Sequence, residues 1–505
     1  MPQPAQGPGV DRVPSLQRQI LRSSFITASG SIISVAVGLL RFKAAALILG
    51  PAGVGLIGLI QNLMQVAGAV ASLGFGTVGT RQVAEAVGRE DIAAVDAARR
   101  ALWWGNVLLA IVGATGFWMA REILAYSVLG APERSDELGW VALGVGLSVV
   151  AGAQTALLVG MRRIGDVARV QVAAAVLAAA AGVAGIAYWG PGAIVLFVIA
   201  TPAASFVVGF AYALRLPKIA SRRTAMTVLA PQWASMARLG IAFTAAGFVG
   251  SGGQLAVKWL VQERLGTAEL GQFQAAWMIS VSYIGFVLQA MGTDYYPRLS
   301  AAIKDRVSAS RIVNEQTWVA LLLAAPVLLF VIGLSPWLIR LLYSSDFAPA
   351  ASILQWQVLG DVLKVCSWPL GFVLLASGDG RRFFWVEAVI TLVFVAVTGA
   401  LLPIIGLPAP GIAFVFMYAA YLPVVFGMAR EKIGLKWDRR VSLLTLALFG
   451  TCGAVMGLSA ISAVAAAALG LSASLGFASF AAFHLADHTH PWVARILPKN
   501  FKRQN

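Results

Sequence analysis

Residues 49–55 read Leu49-Gly50-Pro51-Ala52-Gly53-Val54-Gly55, a break between two apolar runs at 24–49 and 54–78. Shifted by 216 positions, the chain shows the break again as Leu265-Gly266-Thr267-Ala268-Glu269-Leu270-Gly271, between apolar runs at 239–261 and 269–293. The same shift pairs Arg22 with Arg238 and Gly76 with Gly292. Identity at this level is weak in a chain so rich in Gly and Ala, and topology is what strengthens it. Six spans per copy is an even number, which leaves both copies facing the same way. Two parallel six-helix bundles related by an axis normal to the membrane are a transporter design, with the binding site between the halves.

Composition places these runs in a membrane. The chain has 505 residues, 59% of them hydrophobic and only 12% charged, with 52 Gly and a mean hydropathy of +0.80. Soluble chains carry about 25% charge, so disordered, collagen-like, disulfide-scaffold and ordinary cytosolic classes are excluded. A helix needs about 20 apolar residues to cross the hydrocarbon. Candidate spans lie at 24–49, 54–78, 101–120, 138–160, 167–188, 193–214, 239–261, 269–293, 317–334, 350–376, 383–402, 411–428, 441–459 and 463–485. The expectation is an all-α integral membrane protein of about fourteen transmembrane helices, with two six-helix lobes related by pseudo-two-fold symmetry and two C-terminal helices. The alternating ten-residue segments of a strand barrel are absent. The expected divisions are a cytoplasmic N-terminal segment at 1–22, an N-lobe at 23–214 and a basic linker at 215–238. They continue with a C-lobe at 239–428, a cytoplasmic loop at 429–440, helices 13 and 14 at 441–485 and a tail at 486–505.

Charge fixes the expected sidedness. Lys and Arg total 38 against 22 Asp and Glu, a net +16 that in a soluble protein would point to nucleic acid. With the N-terminus cytoplasmic, thirty of the basic residues fall in cytoplasmic segments and only Arg121, Arg134, Arg264 and Arg340 fall outside. Basic loops resist translocation, so both termini are expected in the cytoplasm and no nucleic-acid partner is needed. Met1 to Ile20 lacks the apolar core of a signal peptide, so the first span is expected to serve as its own insertion signal. Cys366 and Cys452 both sit in apolar runs, and no disulfide framework is expected.

Ionisable residues inside spans are costly, about 2.5–3.5 kcal/mol at the bilayer centre, and normally face protein or water. Seven stand out: Arg41 and Lys43 on span 1, Lys258 on span 7, Asp294 at the end of span 8, Asp361 and Lys364 on span 10, and Glu387 on span 11. Thr27, Ser31, Ser34, Gly38 and Arg41 recur at steps of three and four, drawing one polar stripe along span 1. Ser251, Gln254, Lys258 and Gln262 do the same on span 7, Gln61, Gln65, Gly68 and Ser72 on span 2, and Gln357, Asp361, Lys364 and Trp368 on span 10. The simplest arrangement turns spans 1 and 7 toward a wet central cavity. Blander readings stand beside these. Lys43 lies about 200° around the helix from Arg41 and can snorkel to the surface. Asp361 and Lys364, one turn apart, can simply neutralise each other. Glu387 and Asp294 lie near span ends and suit an interface.

Other chemistry is thin. No Walker P-loop is present, so ATP hydrolysis by this chain is not expected, nor is any other cofactor. His484 and His488 have helical spacing, with His490 beyond, but one carboxylate neighbour, Asp487, makes a poor metal site. The longest outer loop, from Arg121 to Glu137, contains no histidine.

The stretch Leu49 to Leu56, followed by Ser72-Leu73-Gly74-Phe75-Gly76 and Gln82-Val83-Ala84-Glu85, resembles the opening of the O-antigen translocases. These are flippases for polyprenyl-linked oligosaccharides within the multidrug/oligosaccharidyl-lipid/polysaccharide exporter superfamily. Asp294-Tyr295-Tyr296-Pro297-Arg298-Leu299-Ser300 is similar to the end of helix 8 in that family. The resemblance covers residues 20–430, and members usually have twelve spans, so fourteen is a departure. It implies two lobes that alternate between inward and outward openings in a bacterial inner membrane. The implied substrate is undecaprenyl pyrophosphate carrying a glycan repeat, with a polysaccharide polymerase and chain-length machinery as candidate partners beside the membrane lipids. Arg41, Lys258 and Lys364 would hold the pyrophosphate by charge-assisted hydrogen bonds. Asn62, Gln65 and Gln254, together with Gln61, suit sugar hydroxyls. Arg298, with Tyr295 and Tyr296, would stand at the cytoplasmic mouth, or simply anchor the helix end. Asp361, Glu387 and Asp294 are the candidate ion-coupling acids. A cation-coupled drug antiporter would want acids on the early helices, and spans 1 to 6 hold none. A membrane glycan polymerase or ligase would want a long catalytic outer loop.

Overall fold

The computed structural model describes residues 13–216 and 226–487, with side chains from residue 29 onward except at 226–228, 239, 242–243, 246, 286–287, 289–294 and 485–487. The expected N-terminal segment, basic linker and tail, and with them His488 and His490, fall wholly or partly outside these residues. Every regular element among the described residues is a helix. Ten segments are long and apolar enough to cross a membrane. They include Ser29–Ser72, of 44 residues, and Ile164–Ala213, of 50 residues. At 1.5 Å per residue each of these is about twice as long as the hydrocarbon is thick. Large apolar side chains also point outward, Leu47 at 63%, Leu392 at 67% and Leu446 at 69% exposure. Helices apolar all round in this way belong in lipid, and the chain is a multi-pass membrane protein. A total of fourteen crossings goes beyond these ten segments.

The chain forms two compact units that divide at Leu255 and Ala256. The first holds α1 (Val13–Ser72), α2 (Phe75–Gly88), α3 (Ile92–Leu124), α4 (Ser135–Gly139), α5 (Val141–Gly160), α6 (Ile164–Trp189), α7 (Ile194–Ala213) and the first part of α8 (Met226–Leu265). The break expected at Gly50 is real. Gly50 takes φ 64° and ψ −169° inside α1, a region open to glycine almost alone, and Pro51 then opens the next turn with its φ already set. Span 2, expected to run to residue 78, instead ends at Ser72. Leu73 and Gly74 turn the chain with φ 43° and 67°, and α2 follows as a short helix. It buries Phe75, Val78, Val83 and Ala86 while Arg81 and Glu85 pair on its exposed side. Gly160 of α5 gives Val83 its seat, since a Cβ there would stand 2.8 Å from the valine. Trp233 on α8 donates its indole N–H to the Ala101 carbonyl at 2.9 Å, fixing that part of α8 to α3.

The second unit holds the rest of α8, α9 (Thr267–Ala302), α10 (Arg306–Gly333), α11 (Ser335–Leu342), α12 (Ala350–Ala376), α13 (Gly380–Ile405), α14 (Ala409–Ile433), α15 (Arg439–Ser459) and α16 (Ala463–Asp487). Gly266 caps α9 at φ 109° and ψ 175°, so both glycines of the repeated break adopt backbone that a side chain disfavours. Helix α12 is the core of this unit, buried along most of its length from Ala350 to Leu374. Gly411 of α14 lies against Trp356, where an added Cβ would approach to 2.8 Å. Two helices that start on the expected cytoplasmic side carry aspartate caps: Asp91 accepts from Ala94 N at 2.9 Å and Asp305 from Val307 N at 3.1 Å.

Candidate functional site

The richest polar arrangement lies inside the second unit, on α9 and α12. Asp361 sits mid-way along α12 with no exposed surface. Its Oδ2 accepts from the Ser280 hydroxyl at 2.8 Å and the Tyr283 hydroxyl at 2.6 Å. Ser280 and Tyr283 are three apart on α9 and therefore share a face. The other oxygen, Oδ1, makes no hydrogen bond and lies 4.0 Å from the Lys364 ammonium, one turn along the same helix. One turn the other way, Gln357 is fully buried and neither of its amide atoms has a hydrogen-bond partner among the described residues. Buried amides are nearly always satisfied, so this face of α12 is prepared for a polar or charged guest.

Lys364 reaches outward from that cluster. Its Nζ is 5.7 Å from the Phe414 ring centre and 5.8 Å from that of Tyr418, both on α14, within the range of a cation–π contact. Tyr418 stands edge-on to Tyr421 at 6.0 Å, and the Tyr421 hydroxyl donates to Glu387 Oε1 at 2.5 Å. Asp361, Lys364, Tyr418, Tyr421 and Glu387 thus form one connected row across α12, α14 and α13. Lys258 on α8 is also buried, 4% exposed. Arg298 is exposed at the far end of α9, just after Pro297. Tyr295 turns inward: it is 1% exposed, donates to the Pro369 carbonyl at 2.8 Å and packs against Trp368 and Phe372. The side chain of Asp294 lies outside the described residues.

In the first unit Arg41 is 6% exposed and is held by its own half. Its guanidinium donates to Thr201 Oγ1 and the Phe197 carbonyl on α7 and lies 4.0 Å from the centre of the Phe197 ring. Gly182 on α6 makes the room, since a Cβ there would come within 3.2 Å of the guanidinium. The Nε of Arg41 has no hydrogen-bond partner. Asn62 is buried and donates to the Ser251 carbonyl at 3.4 Å, Gln65 is exposed, and Gln254 is half-buried at the end of this unit. Gln154 on α5, buried with both amide atoms unsatisfied, was not singled out in the sequence because one Gln in an apolar run gives no stripe. Ser280, Tyr283, Tyr418 and Tyr421 were missed as well. Their spacings of three on α9 and on α14 are the signal that could have found them.

No group of three His, Cys, Asp or Glu side chains among the described residues could hold a metal ion. The arrangement can bind an anion through buried cations, or a cation through buried carboxylates with hydroxyl neighbours. It offers no nucleophile with an adjacent base.

Known proteins share the architecture. The chain is 24% identical over 435 residues to the lipid III flippase of Escherichia coli (strain K12), covering 83% of this chain and 99% of that one. Among solved structures, lipid II flippase MurJ in an inward closed conformation is similar with TM-score 0.67 and 12% identity, over 92% of this chain and 99% of that chain. An inward-facing multidrug resistance MATE family transporter of the MOP superfamily is similar with TM-score 0.67 and 16% identity, over 83% and 98%. At such identities the likeness is one of fold. The family described as polysaccharide biosynthesis protein matches residues 45–352. That match takes in more than half of the 505 residues, and the chain belongs to the polysaccharide biosynthesis protein family.

Proposed function

We propose that the protein is a flippase that carries a polyprenyl-pyrophosphate-linked oligosaccharide from the cytoplasmic to the outer leaflet of a bacterial inner membrane by alternating access. O-antigen or a related surface-polysaccharide repeat would be the cargo. Both termini would be cytoplasmic, and a polymerase with its chain-length partner would take the product. The observation that carries this reading is the burial of basic side chains within apolar helices, Arg41 at 6% and Lys258 at 4% exposure. Ionisable side chains inside membrane helices mark substrate and ion pathways, and basic ones suit an anionic pyrophosphate. Family membership and full-length similarity to a lipid III flippase support the same class. No covalent bond is broken, so the protein is a transporter and not an enzyme.

In this reading Arg41, Lys258 and Lys364 hold the headgroup, Asn62, Gln65 and Gln254 meet sugar hydroxyls, and Arg298 receives the headgroup first. Asp361, Glu387 or Asp294 couples the step to proton or sodium entry, and the Ser280 and Tyr283 hydroxyls on Asp361 support a cation there. The test is reconstitution into liposomes with a fluorescent polyprenyl-pyrophosphate oligosaccharide, scoring reagent-accessible label on each leaflet. Label that stays on one leaflet would end the proposal. Flipping unchanged after both gradients are dissipated, and after Asp361→Asn with Glu387→Gln, would remove the coupling role alone.

A further inference from the structure

A cavity of about 560 Å³ opens along α13 and α14, and its lining includes none of the side chains of the Asp361 row. One end carries Arg381 and Arg382. Arg382 is engaged, its guanidinium 3.1 Å from Glu431 and 3.4 Å from Asp379, while Lys432 takes Asp379 at 2.8 Å. Three cations thus face two carboxylates, and among the described residues Arg381 has no carboxylate within ion-pair distance. Below this end the walls are apolar. Trp385 and Val389 on α13 are each 58% exposed, Val424 on α14 is 44% exposed, and Ile390 forms a buried floor.

The dimensions select an occupant. From Arg381 to Ile390 the helix rises roughly 13 Å, close to one leaflet of hydrocarbon, about half of the 30 Å core. Trp385, one turn below the arginines, stands at the depth of an interfacial aromatic. Between Trp385 and Ile390 the lining offers no polar side chain, so a sugar has nothing to bond along this path. Basic pockets between membrane helices bind acidic lipid headgroups. We propose that the groove holds one resident anionic glycerophospholipid, its phosphate on Arg381 beside Arg382 and one acyl chain lying along Val389, Ile390, Val424 and Met428.

The experiment uses the purified full-length chain in vesicles containing brominated phosphatidylglycerol or brominated phosphatidylcholine. The Trp385 share of quenching is the difference between wild type and Trp385→Phe. We expect the anionic lipid to be preferred at Trp385 by about fivefold, the factor one arginine supplies near a membrane surface. That preference should fall to parity in Arg381→Gln and persist in Arg381→Lys. Val424→Phe, which fills the groove, should lower quenching by both lipids. All variants are compared at matched thermal unfolding, so loss of fold is separable from loss of lipid. Equal quenching by the two lipids, or a preference untouched by Arg381→Gln, overturns the proposal. Displacement of the brominated lipid by polyprenyl phosphate would reassign the groove to an isoprenoid chain, and loss of preference in inorganic phosphate would reduce it to an ion contact; either overturns it.

Discussion

The Tyr283 hydroxyl on α9 donates to Asp361 on α12 at 2.6 Å, in a place with no exposed carboxylate surface at all. Ser280 donates to the same oxygen, so two hydroxyls from one helix face stabilise a charge that lipid or apolar protein would reject. Two neighbouring helices are joined through a single carboxylate oxygen. A cation arriving at Asp361 Oδ1, or a proton, would change the attraction to Lys364 and the geometry of α9 together.

Removing the phenol should therefore cost stability. Tyr283→Phe leaves a buried carboxylate short of a donor, a loss of about 1–3 kcal/mol, read as a lower unfolding midpoint of the purified protein in detergent. In the Asp361→Asn background the same change should cost clearly less, because an amide oxygen is a weaker acceptor. Equal losses in both backgrounds would show that the hydroxyl acts elsewhere.

The two break glycines should be intolerant in the same way. Gly50 at φ 64° and Gly266 at φ 109° hold backbone that penalises any Cβ, and replacement by Ala should destabilise by about 1–3 kcal/mol at each. Gly38, in the middle of α1 with nothing within 4 Å of an added Cβ, serves as the control and should accept Ala with no loss. Thermal unfolding of the three variants decides it; a Gly50→Ala protein as stable as Gly38→Ala would contradict the assigned backbone.

Sequence reading reached the class, the repeated break and the charged positions, because hydropathy and Gly-Pro punctuation are local signals. It placed Asp361 and Lys364 on one face correctly, since a three-residue step is a property of any helix. It did not reach Thr201 and Phe197 as partners of Arg41, because they lie about 160 residues away and only packing brings α7 to α1. Nor did it reach the turn at Leu73 and Gly74, where the apolar run continues through a change of direction. Apolar continuity reports solvent, and the end of a helix is set by one backbone angle that hydropathy does not see.

Acid should loosen the tether between α13 and α14. The Lys432 hydrogen bond, chiefly, holds the Asp379 carboxyl below its ordinary value of 3.8. A group whose value is lowered on folding contributes stability above its unfolded value and loses it as pH falls through the folded one. The tether should be intact at neutral pH and weaken only below about pH 4. A spin-label distance between the ends of α13 and α14 should then broaden in acid in the wild type and be broad at all pH values in Asp379→Asn. Broadening near pH 6 would point to another group.

Helix α16 rests on α10 through two glycines. A Cβ on Gly470 would stand 2.6 Å from Gly333 Cα, and one on Gly333 2.9 Å from Gly470 Cα. Gly470→Val must push the helices apart, at about 1–3 kcal/mol for overpacking, and should raise protease access to the α15–α16 pair before the rest of the chain. Uniform cleavage would mean that the pair is not an independently docked element.

Arg41 poses the sharpest question, because its guanidinium already has partners. Thr201 and the Phe197 carbonyl take two donors and the Phe197 ring takes a face, a geometry that the planar fork of arginine matches and an ammonium does not. Arg41→Lys should lower the unfolding midpoint, and Thr201→Val should do so more mildly, by about 1 kcal/mol for one hydrogen bond. If Arg41 also holds the pyrophosphate through its free Nε, flipping per folded molecule should fall at least tenfold in Arg41→Lys and stay near wild type in Thr201→Val. Lys258→Ala should fall likewise. Equal flipping per folded molecule in Arg41→Lys and Thr201→Val would make Arg41 a structural clamp, leaving Lys258 and Lys364 to meet the headgroup.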